Sequence, residues 1–258
     1  MIDLHNHCLY GVDDGSQSLE DSIKLLRQAY EDGITEIVLT PHFMKNGKYH
    51  AEASELLERY HILKDVLYKN HIYIELHMGN ELYINSSLDT LLMDKKIFSM
   101  NNTHYVLVEF PFNEYKDEFD ETLYNLTVAG YRVIIAHPER YEYVLNNIDF
   151  CQHWLKHGYI LQSNQNGLFQ AESEKQIHNM IELGYIQLIS TDCHNVDRPC
   201  ILSRAYSKVH NDFGFRKAEE LFEINPKKVL RDEIVAVQIK KHRRSILGKY
   251  DLYPSKSW

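Results

Sequence analysis

The sequence is poor in cysteine and has no long apolar run. Its 258 residues include four cysteines, Cys8, Cys151, Cys193 and Cys200, and no two of them form a CxxC pair. Without such pairs, and without a signal peptide, the thiols are expected to be reduced and the chain to be cytoplasmic. No apolar run approaches the roughly 18 residues that a membrane-spanning helix needs, so no span is predicted.

The sequence also lacks an excess of basic residues. Its formal net charge is -9 and its pI is near 5.9. A dedicated nucleic-acid binder usually carries a basic face, so a nucleic-acid partner is disfavoured. A phosphorylated substrate is not excluded, because a local cluster of metal ions can outweigh the field of the whole protein. One basic patch at residues 240–244 follows the last core-like helix and indicates either a solvated helix end or a contact with an acidic partner.

Short β-branched or aromatic runs alternate with longer helical patterns, which indicates repeated β/α units. Strands are predicted at residues 2–5, 34–40, 73–79, 105–110, 132–136, 159–163 and 187–191. Helices are predicted from Ser18 to Gly33 and at residues 51–69, 117–129 and 146–157, and Gly130, Gly158 and Gly184 each stand between a helical pattern and a strand. No linker divides the chain, and β/α barrels of this length are commonly one unit. The sequence therefore predicts a single α/β domain over residues 1–258, with a basic C-terminal helix or tail from about residue 234.

Charged and histidine side chains recur where the apolar runs stop. His5 and His7 are two apart on the first predicted strand, so their side chains project to the same face. In a β/α barrel the carboxyl ends of the strands meet at one rim, where active sites form. Solvated strand ends would explain isolated carboxylates, but they explain less naturally the histidines in the same positions. The candidate metal ligands are His5, His7, Asp14, His42, Glu81, Glu109, His137, Asp192 and His194.

The chemistry of these side chains indicates a site with several ions. Imidazole and carboxylate suit manganese, iron or zinc without thiolate, so Cys8 and Cys193 are interpreted as packing residues. The candidate ligands are too many for one ion and fit two or three. Their carboxylates would leave three divalent ions with a net positive charge. Such a site would attract a phosphate dianion and lower the pKa of a bound water.

Two arginines and one turn complete the predicted site. Arg140 and Arg198 follow two of the ligand-bearing strand ends, and a guanidinium matches a phosphate group bidentately. Surface arginines are common, so neither carries the interpretation alone. Within the turn that starts at Asp13, Asp14 is interpreted as the ligand and Asp13 as its support, although the spacing leaves the choice between them open.

Taken in order, these segments resemble the PHP (polymerase and histidinol phosphatase) superfamily. Within it, the chain resembles the bacterial tyrosine-protein phosphatases of capsular and exopolysaccharide operons. The matching segments are MIDLHNH at 1–7, VDDGS at 12–16, TPH at 40–42, GNE at 79–81, VEF at 108–110, AHPERY at 136–141, STDCHN at 190–195 and the final NP at 225–226. The resemblance spans nearly the whole chain, and the DDG and HPERY pieces are its most specific parts.

The resemblance implies a distorted (β/α)7 barrel that holds three divalent metal ions, usually manganese, with iron or zinc as alternatives. It implies a first ion held by His5, His7, Glu81 and Asp192, a second by Glu81, Glu109 and His137, and a third by Asp14, His42 and His194. Arg140 and Arg198 match arginines that bind the substrate phosphate. The implied substrate is phosphotyrosine on the tail of a cognate bacterial tyrosine kinase that regulates polymer synthesis.

Some questions stay open at this point. Either His42 or a metal-bound water could protonate the leaving phenolate, whose pKa near 10 makes the proton helpful but not essential. A thiol mechanism is disfavoured, because Cys193 and Arg198 are one residue too close for a CxxxxxR loop. The alternatives are a phosphatase acting on histidinol phosphate or another small phosphomonoester, and a non-catalytic protein that docks the kinase tail. The sequence does not predict the oligomeric state.

Overall fold

The computed structural model describes residues 1–239, so the basic patch at 240–244 lies outside the described residues. Residues 234–239, where a basic helix or tail was predicted to begin, form no regular secondary structure. The strands are β1 (Ile2–Asn6), β2 (Glu36–Leu39), β3 (His42–Phe43), β4 (Glu75–Met78), β5 (Glu81–Tyr83), β6 (Tyr105–Glu109), β7 (Arg132–Ala136), β8 (Ile160–Asn164) and β9 (Leu188–Ser190).

The strands form one parallel barrel in two consecutive sheets. The first sheet has the order β1-β2-β4 and the second the order β3-β5-β6-β7-β8-β9. Only two residues separate β2 from β3, and two separate β4 from β5. Each of these pairs therefore occupies one strand position, or stave, of the barrel. The barrel closes where Asn6 forms a parallel bridge with Cys193 and the amide of His7 donates to the carbonyl of Cys193 at 2.9 Å. The predicted barrel of seven staves is confirmed.

The breaks in the second and third staves have local causes. Pro41 has no N–H group to donate, so the β2 ladder cannot continue through it. At the break between β4 and β5, the side chain of Asn80 donates to the carbonyl of Pro41 at 3.0 Å and accepts from the amide of Phe98 at 2.8 Å. Beyond the breaks, β3 pairs with β5 so that His42 lies beside Glu81. The interruption therefore brings two candidate ligands together.

A register shift between Asp3 and Asn6 re-aims the end of β1. Leu4 packs in the apolar cluster inside the barrel, and yet the next residue, His5, belongs to the cluster of candidate ligands. Regular alternation would send these neighbours to opposite faces, and a β-bulge removes that constraint. The HxH spacing in the sequence did not reveal this irregularity.

Helices cover the outside of the barrel. They are α1 (Leu19–Glu31), α2 (Ala53–Lys69), α3 (Leu88–Met93), α4 (Asp117–Val128), α5 (Glu142–Asn146), α6 (Cys151–Lys156), α7 (Glu174–Glu182), α8 (Ser203–Phe213), α9 (Phe215–Glu219) and α10 (Asn225–Leu230). Ser18 caps α1 by accepting from the amide of Asp21, and the glycines predicted to follow helices have positive φ. None of the helices in residues 1–239 is both long and apolar enough to cross a membrane.

The helix predicted at residues 146–157 is confirmed over most of its length, but it begins only after Asn147. The chain forms α5, a 3-10 turn at Ile148–Phe150 and then α6. Asn147 adopts an extended conformation with φ -154°, and its side chain caps the turn by accepting from the amide of Asp149. An asparagine that bonds to the following backbone competes with helix continuation, which explains the break.

Candidate metal centre

All the predicted ligands come together at the carboxyl ends of the strands. Ligand atoms of His7, Asp14, His42 and His194 lie within 4.8 Å of one another, as do those of His5, His7 and Glu81 and those of His42, Glu81 and Glu109. His137 Nε2 lies 2.9 Å from Glu81 Oε1, and Asp192 Oδ1 lies 3.4 Å from His5 Nε2. The set expected from the strand ends is therefore one continuous cluster.

Glu81 occupies the middle of the cluster. Its Oε2 atom lies 2.9 Å from His42 Nδ1, 3.2 Å from His5 Nε2 and 3.3 Å from His7 Nε2. Its other oxygen faces His137. A carboxylate with histidines on both oxygens has the geometry needed to bridge two ions, and the bridging role itself stays a prediction.

Contacts at the Nδ1 atoms orient the rings of His5 and His7. His5 Nδ1 lies 2.8 Å from Gln162 Oε1, and His7 Nδ1 lies 2.8 Å from Asp13 Oδ2. Because both partners are acceptors, the ring protons belong on the Nδ1 atoms, and the two Nε2 lone pairs face each other at 3.1 Å. Two facing lone pairs repel unless a cation lies against them, which is the arrangement of histidines that ligate a metal.

The structure separates Asp13 from Asp14. Asp13 is buried, and its Oδ2 also accepts from the amide of His42 at 3.0 Å. Asp14 is half-exposed, and its Oδ1 lies 3.4 Å from His42 Nε2 and 3.6 Å from His194 Nε2. This geometry favours Asp14 as the ligand and Asp13 as the support.

Two candidate ligands have unusual backbone conformations. His137 and Asp192 follow β7 and β9 with φ values of 30° and 51°. Positive φ is uncommon for residues other than glycine and is found most often where function requires a particular side-chain direction. Here it directs both side chains toward Glu81 and the histidines.

One carboxylate of the cluster, Glu109, is buried without enough positive charge around it to stabilise its ionised form. Burial and the neighbouring charge of Glu81 raise the pKa of Glu109 to about 8. Burial lowers the pKa of His137 to about 4, so its ring is neutral. His42 Nδ1 and Glu81 Oε2 are 2.9 Å apart, yet neither has a hydrogen-bond partner among the described residues. The neutral imidazole of His137, the buried carboxylates and the unpartnered polar atoms together fit divalent ions.

Two arginines lie at the edge of the cluster. Arg140 Nη1 is 3.5 Å from Asp192 Oδ2, and Arg198 contacts the same oxygen. Both line a cavity of about 220 Å³ beside the cluster. The Arg140 guanidinium also lies 4.5 Å from the centre of the ring of Phe112, which is 41% exposed. Two guanidinium groups beside a positive centre can bind a phosphate group.

Cys193, which lies between two predicted ligands, is a packing residue in the structure. Cys8 and Cys193 are fully buried, and their sulfur atoms lie 3.7 Å apart. Burial raises the pKa of the Cys193 thiol well above its usual value. A buried thiol that is not ionised is inert as a nucleophile, which agrees with the interpretation from sequence.

Sequence reasoning missed the uncharged parts of the site. Phe112 stands under Arg140, and the ring of Tyr49 stacks on that of His42 at 5.7 Å. Gln162, which holds His5, lies within a strand and gave no signal. Aromatic and amide residues are too common in barrels to stand out, and only a search for partners of the predicted ligands would have found them.

The chain matches the family model described as "Capsular polysaccharide synthesis, CpsB/CapC" over residues 1–231. It is 28% identical over 244 residues to the tyrosine-protein phosphatase CpsB of Streptococcus agalactiae, covering 91% of this chain and all of the relative. It is 30% identical to the tyrosine-protein phosphatase YwqE of Bacillus subtilis, covering 91% of this chain and 93% of that one. A solved structure from work on YwqE from Bacillus subtilis and CpsB from Streptococcus pneumoniae, described as unique metal-dependent tyrosine phosphatases, aligns with a TM-score of 0.86. The identity is 28%, and the alignment covers 92% of this chain and 97% of that one.

Proposed function

Because the chain belongs to the CpsB/CapC family of metal-dependent tyrosine-protein phosphatases, we propose that it hydrolyses phosphotyrosine on the tail of a cognate bacterial tyrosine kinase. Removal of that phosphate in the cytoplasm would regulate capsular or exopolysaccharide synthesis. The observation that carries the proposal is the convergence of all the predicted ligands beside two arginines. We take residues 1–258 as one phosphatase domain.

We propose three divalent ions, with manganese as the first choice and iron or zinc as alternatives. The first is held by His5, His7, Glu81 and Asp192, the second by Glu81, Glu109 and His137, and the third by Asp14, His42 and His194. The donor set supports this number, because the ligand atoms form three overlapping groups rather than one, although the group of Glu81 and Glu109 is completed by His42 and not by His137. His7 lies close to the third group as well as the first.

Bound divalent ions would supply a Lewis acid for the phosphoryl oxygens and a water of lowered pKa. The chain's own part is to bind and orient the phosphate. Arg140 and Arg198 both contact Asp192 Oδ2, so the two guanidinium groups converge on one point at the edge of the centre. There they can neutralise the phosphate oxygens bidentately.

The leaving group places a modest demand on the enzyme. A phenolate has a pKa near 10, so its departure benefits from a proton but does not require one. Both ring nitrogens of His42 face carboxylates, at 2.9 Å from Glu81 and 3.4 Å from Asp14. These contacts support His42 as a ligand more than as a proton donor. A role in protonating the phenolate would require one of its nitrogens to be released.

Phosphate release tests the proposal directly. The protein is freed of metal by chelation and assayed with a tyrosine-phosphorylated kinase-tail peptide, with and without added Mn²⁺, beside histidinol phosphate. We expect Mn²⁺ to restore release from the peptide. His137→Ala and Asp192→Ala should abolish it. The matched control His153→Ala should not, because His153 lies on α6 and contacts Asp120 at 2.7 Å rather than the cluster.

The other outcomes separate the remaining functions. Preference for histidinol phosphate would keep the metal centre and replace the biological role with that of a small-phosphomonoester phosphatase. Tight binding of the phosphopeptide without release, with ions bound, would favour a docking protein. Activity that survives in Asp192→Ala would contradict a metal-centred mechanism.

A further inference from the structure

Strand β8 contributes none of the predicted ligands, although every other stave of the barrel ends in one or more. Its inward-facing residues Gln162 and Asn164 are nevertheless polar and buried, with 0% and 7% exposure. Buried amides need hydrogen-bond partners, because a buried polar group without one loses its hydration and gains nothing in return. The hydrogen-bond partners of Gln162 and Asn164 therefore indicate the role of β8.

The two amides form a continuous chain of hydrogen bonds between two candidate ligands. His5 Nδ1 donates to Gln162 Oε1 at 2.8 Å, and Gln162 Nε2 donates to Asn164 Oδ1 at 3.0 Å. Asn164 Nδ2 then donates to Asp192 Oδ2 at 2.5 Å. His5 and Asp192 both belong to the set assigned above to the first ion. The chain of bonds thus starts and ends at ligands of the same ion.

The direction of this chain is fixed by the backbone. Gln162 Nε2 also donates at 2.8 Å to the carbonyl of Ser163, which can only accept. The amide nitrogen must therefore point that way, and the amide oxygen must face His5. With its Nδ1 proton engaged, His5 presents its Nε2 lone pair to Glu81 at 3.2 Å and to Asp192 at 3.4 Å. Asn164 likewise directs Asp192 Oδ2, which the two site arginines also contact, so that Oδ1 faces the histidines.

We propose that Gln162 and Asn164 are positioning residues for the first ion. Gln162 fixes the tautomer and orientation of His5, and Asn164 fixes the orientation of Asp192, so that both ligand atoms meet at one point. Groups of this kind behind metal ligands typically contribute about 10- to 100-fold in metal affinity. The inference rests on the metal centre of the proposed function, but it does not depend on which phosphoester is hydrolysed.

The test is a titration of the metal-free protein with Mn²⁺ against a competing chelator, with the number of bound ions counted by elemental analysis. Gln162→Met keeps the side-chain volume and removes the amide, and Asn164→Leu does the same at the other position. We expect each to weaken one ion by about 10- to 100-fold and to leave the others near their wild-type affinity. The binding free energy lost in the double variant should be smaller than the sum of the losses in the two single variants, because both residues act on the same ion.

Gln187→Met is the matched control. Gln187 is another buried glutamine at the same sheet, where it accepts from the amide of Leu161 and donates to the carbonyl of Gly184, both at 2.9 Å. It contacts none of the predicted ligands, so its loss should lower thermal stability without changing ion affinity. Equal loss of affinity in this control would overturn the proposal, as would wild-type affinity for every ion in Gln162→Met.

Two further results keep the test decisive. If Gln162→Met does not fold, as judged by circular dichroism of the metal-free protein, Asn164→Leu alone decides, because it alters the other end of the same chain. If the wild-type protein binds Mn²⁺ but releases no phosphate from a phosphotyrosine peptide, the proposed function fails and the positioning role is still tested by affinity. A wild-type protein that binds no divalent ion would overturn both.

Discussion

Asp13 holds the ring of His7 through a contact of 2.8 Å between Oδ2 and Nδ1. The same oxygen accepts from the amide of His42 at 3.0 Å, so one buried carboxylate supports two predicted ligands. We expect Asp13→Asn to weaken Mn²⁺ binding by about 10- to 100-fold, because the amide is uncharged and its NH2 group cannot accept from the amide of Gly15, which donates to Asp13 Oδ1 at 2.9 Å. Titration with Mn²⁺ against a competing chelator measures this affinity. Asp14→Asn is the comparison, and it should weaken the third ion without affecting the first. Wild-type affinity in Asp13→Asn would contradict the supporting role.

The backbone passes too close to Gly15 for any side chain. A Cβ atom there would lie 2.0 Å from the carbonyl oxygen of His7 and 2.6 Å from its Cβ. We expect Gly15→Ala to destabilise the protein by about 1–3 kcal/mol or more and to reduce Mn²⁺ affinity, since His7 must move. Urea denaturation and the metal titration measure the two effects.

Gly33→Ala provides the control for that substitution. Gly33 has φ +83°, but a Cβ there meets nothing within 4 Å. Gly33→Ala should lower the free energy of unfolding by about 1–2 kcal/mol through backbone strain and leave ion affinity unchanged. If both alanine variants bound Mn²⁺ equally well, close packing at Gly15 would not be what positions His7.

The sequence predicted the staves and the ligand set because each depends on short-range patterns. Apolar runs give the strands, and the parallel barrel brings their carboxyl ends together, so the convergence of His137 and Asp192 on one cluster could be predicted from position alone. The bulge after Leu4 and the break at Asn147 could not, because each depends on which backbone groups find partners in the folded chain. The role of Gln162 was hidden for the same reason.

The exposed ring of Phe112 supports the Arg140 guanidinium from 4.5 Å. We expect Phe112→Ala to raise KM for a phosphotyrosine peptide about two- to fivefold, which corresponds to the 0.5–1 kcal/mol of an exposed cation–π contact. The value of kcat should change less, because the ring makes no hydrogen bond to a predicted ligand and only packs against His137, with 5.9 Å between ring centres. Phe215→Ala removes a more exposed ring on α9, at 60% exposure, and should leave both constants unchanged. An unchanged KM in Phe112→Ala would show that Arg140 needs no such support.

Cys193 lies between two predicted ligands but should take no part in the chemistry. Its side chain is fully buried, and burial raises the pKa of its thiol. We expect Cys193→Ala to keep phosphatase activity within about twofold at 25 °C and to lose about 1 kcal/mol of stability through the lost packing. Steady-state kinetics with saturating Mn²⁺ measure the activity. A loss comparable to that of Asp192→Ala would bring back a mechanism with a cysteine nucleophile.

The contact between β1 and β9 also determines when, during synthesis and folding, the barrel can close. The hydroxyl of Thr191 reaches the carbonyl of His5 across 186 positions of the sequence. A ribosome therefore completes nearly the whole barrel before the partners of the first histidines exist. Contacts between such distant segments form late in folding. If the first ion is held as proposed, its full set of ligands exists only once Asp192 has emerged, after every strand of the barrel has been synthesised.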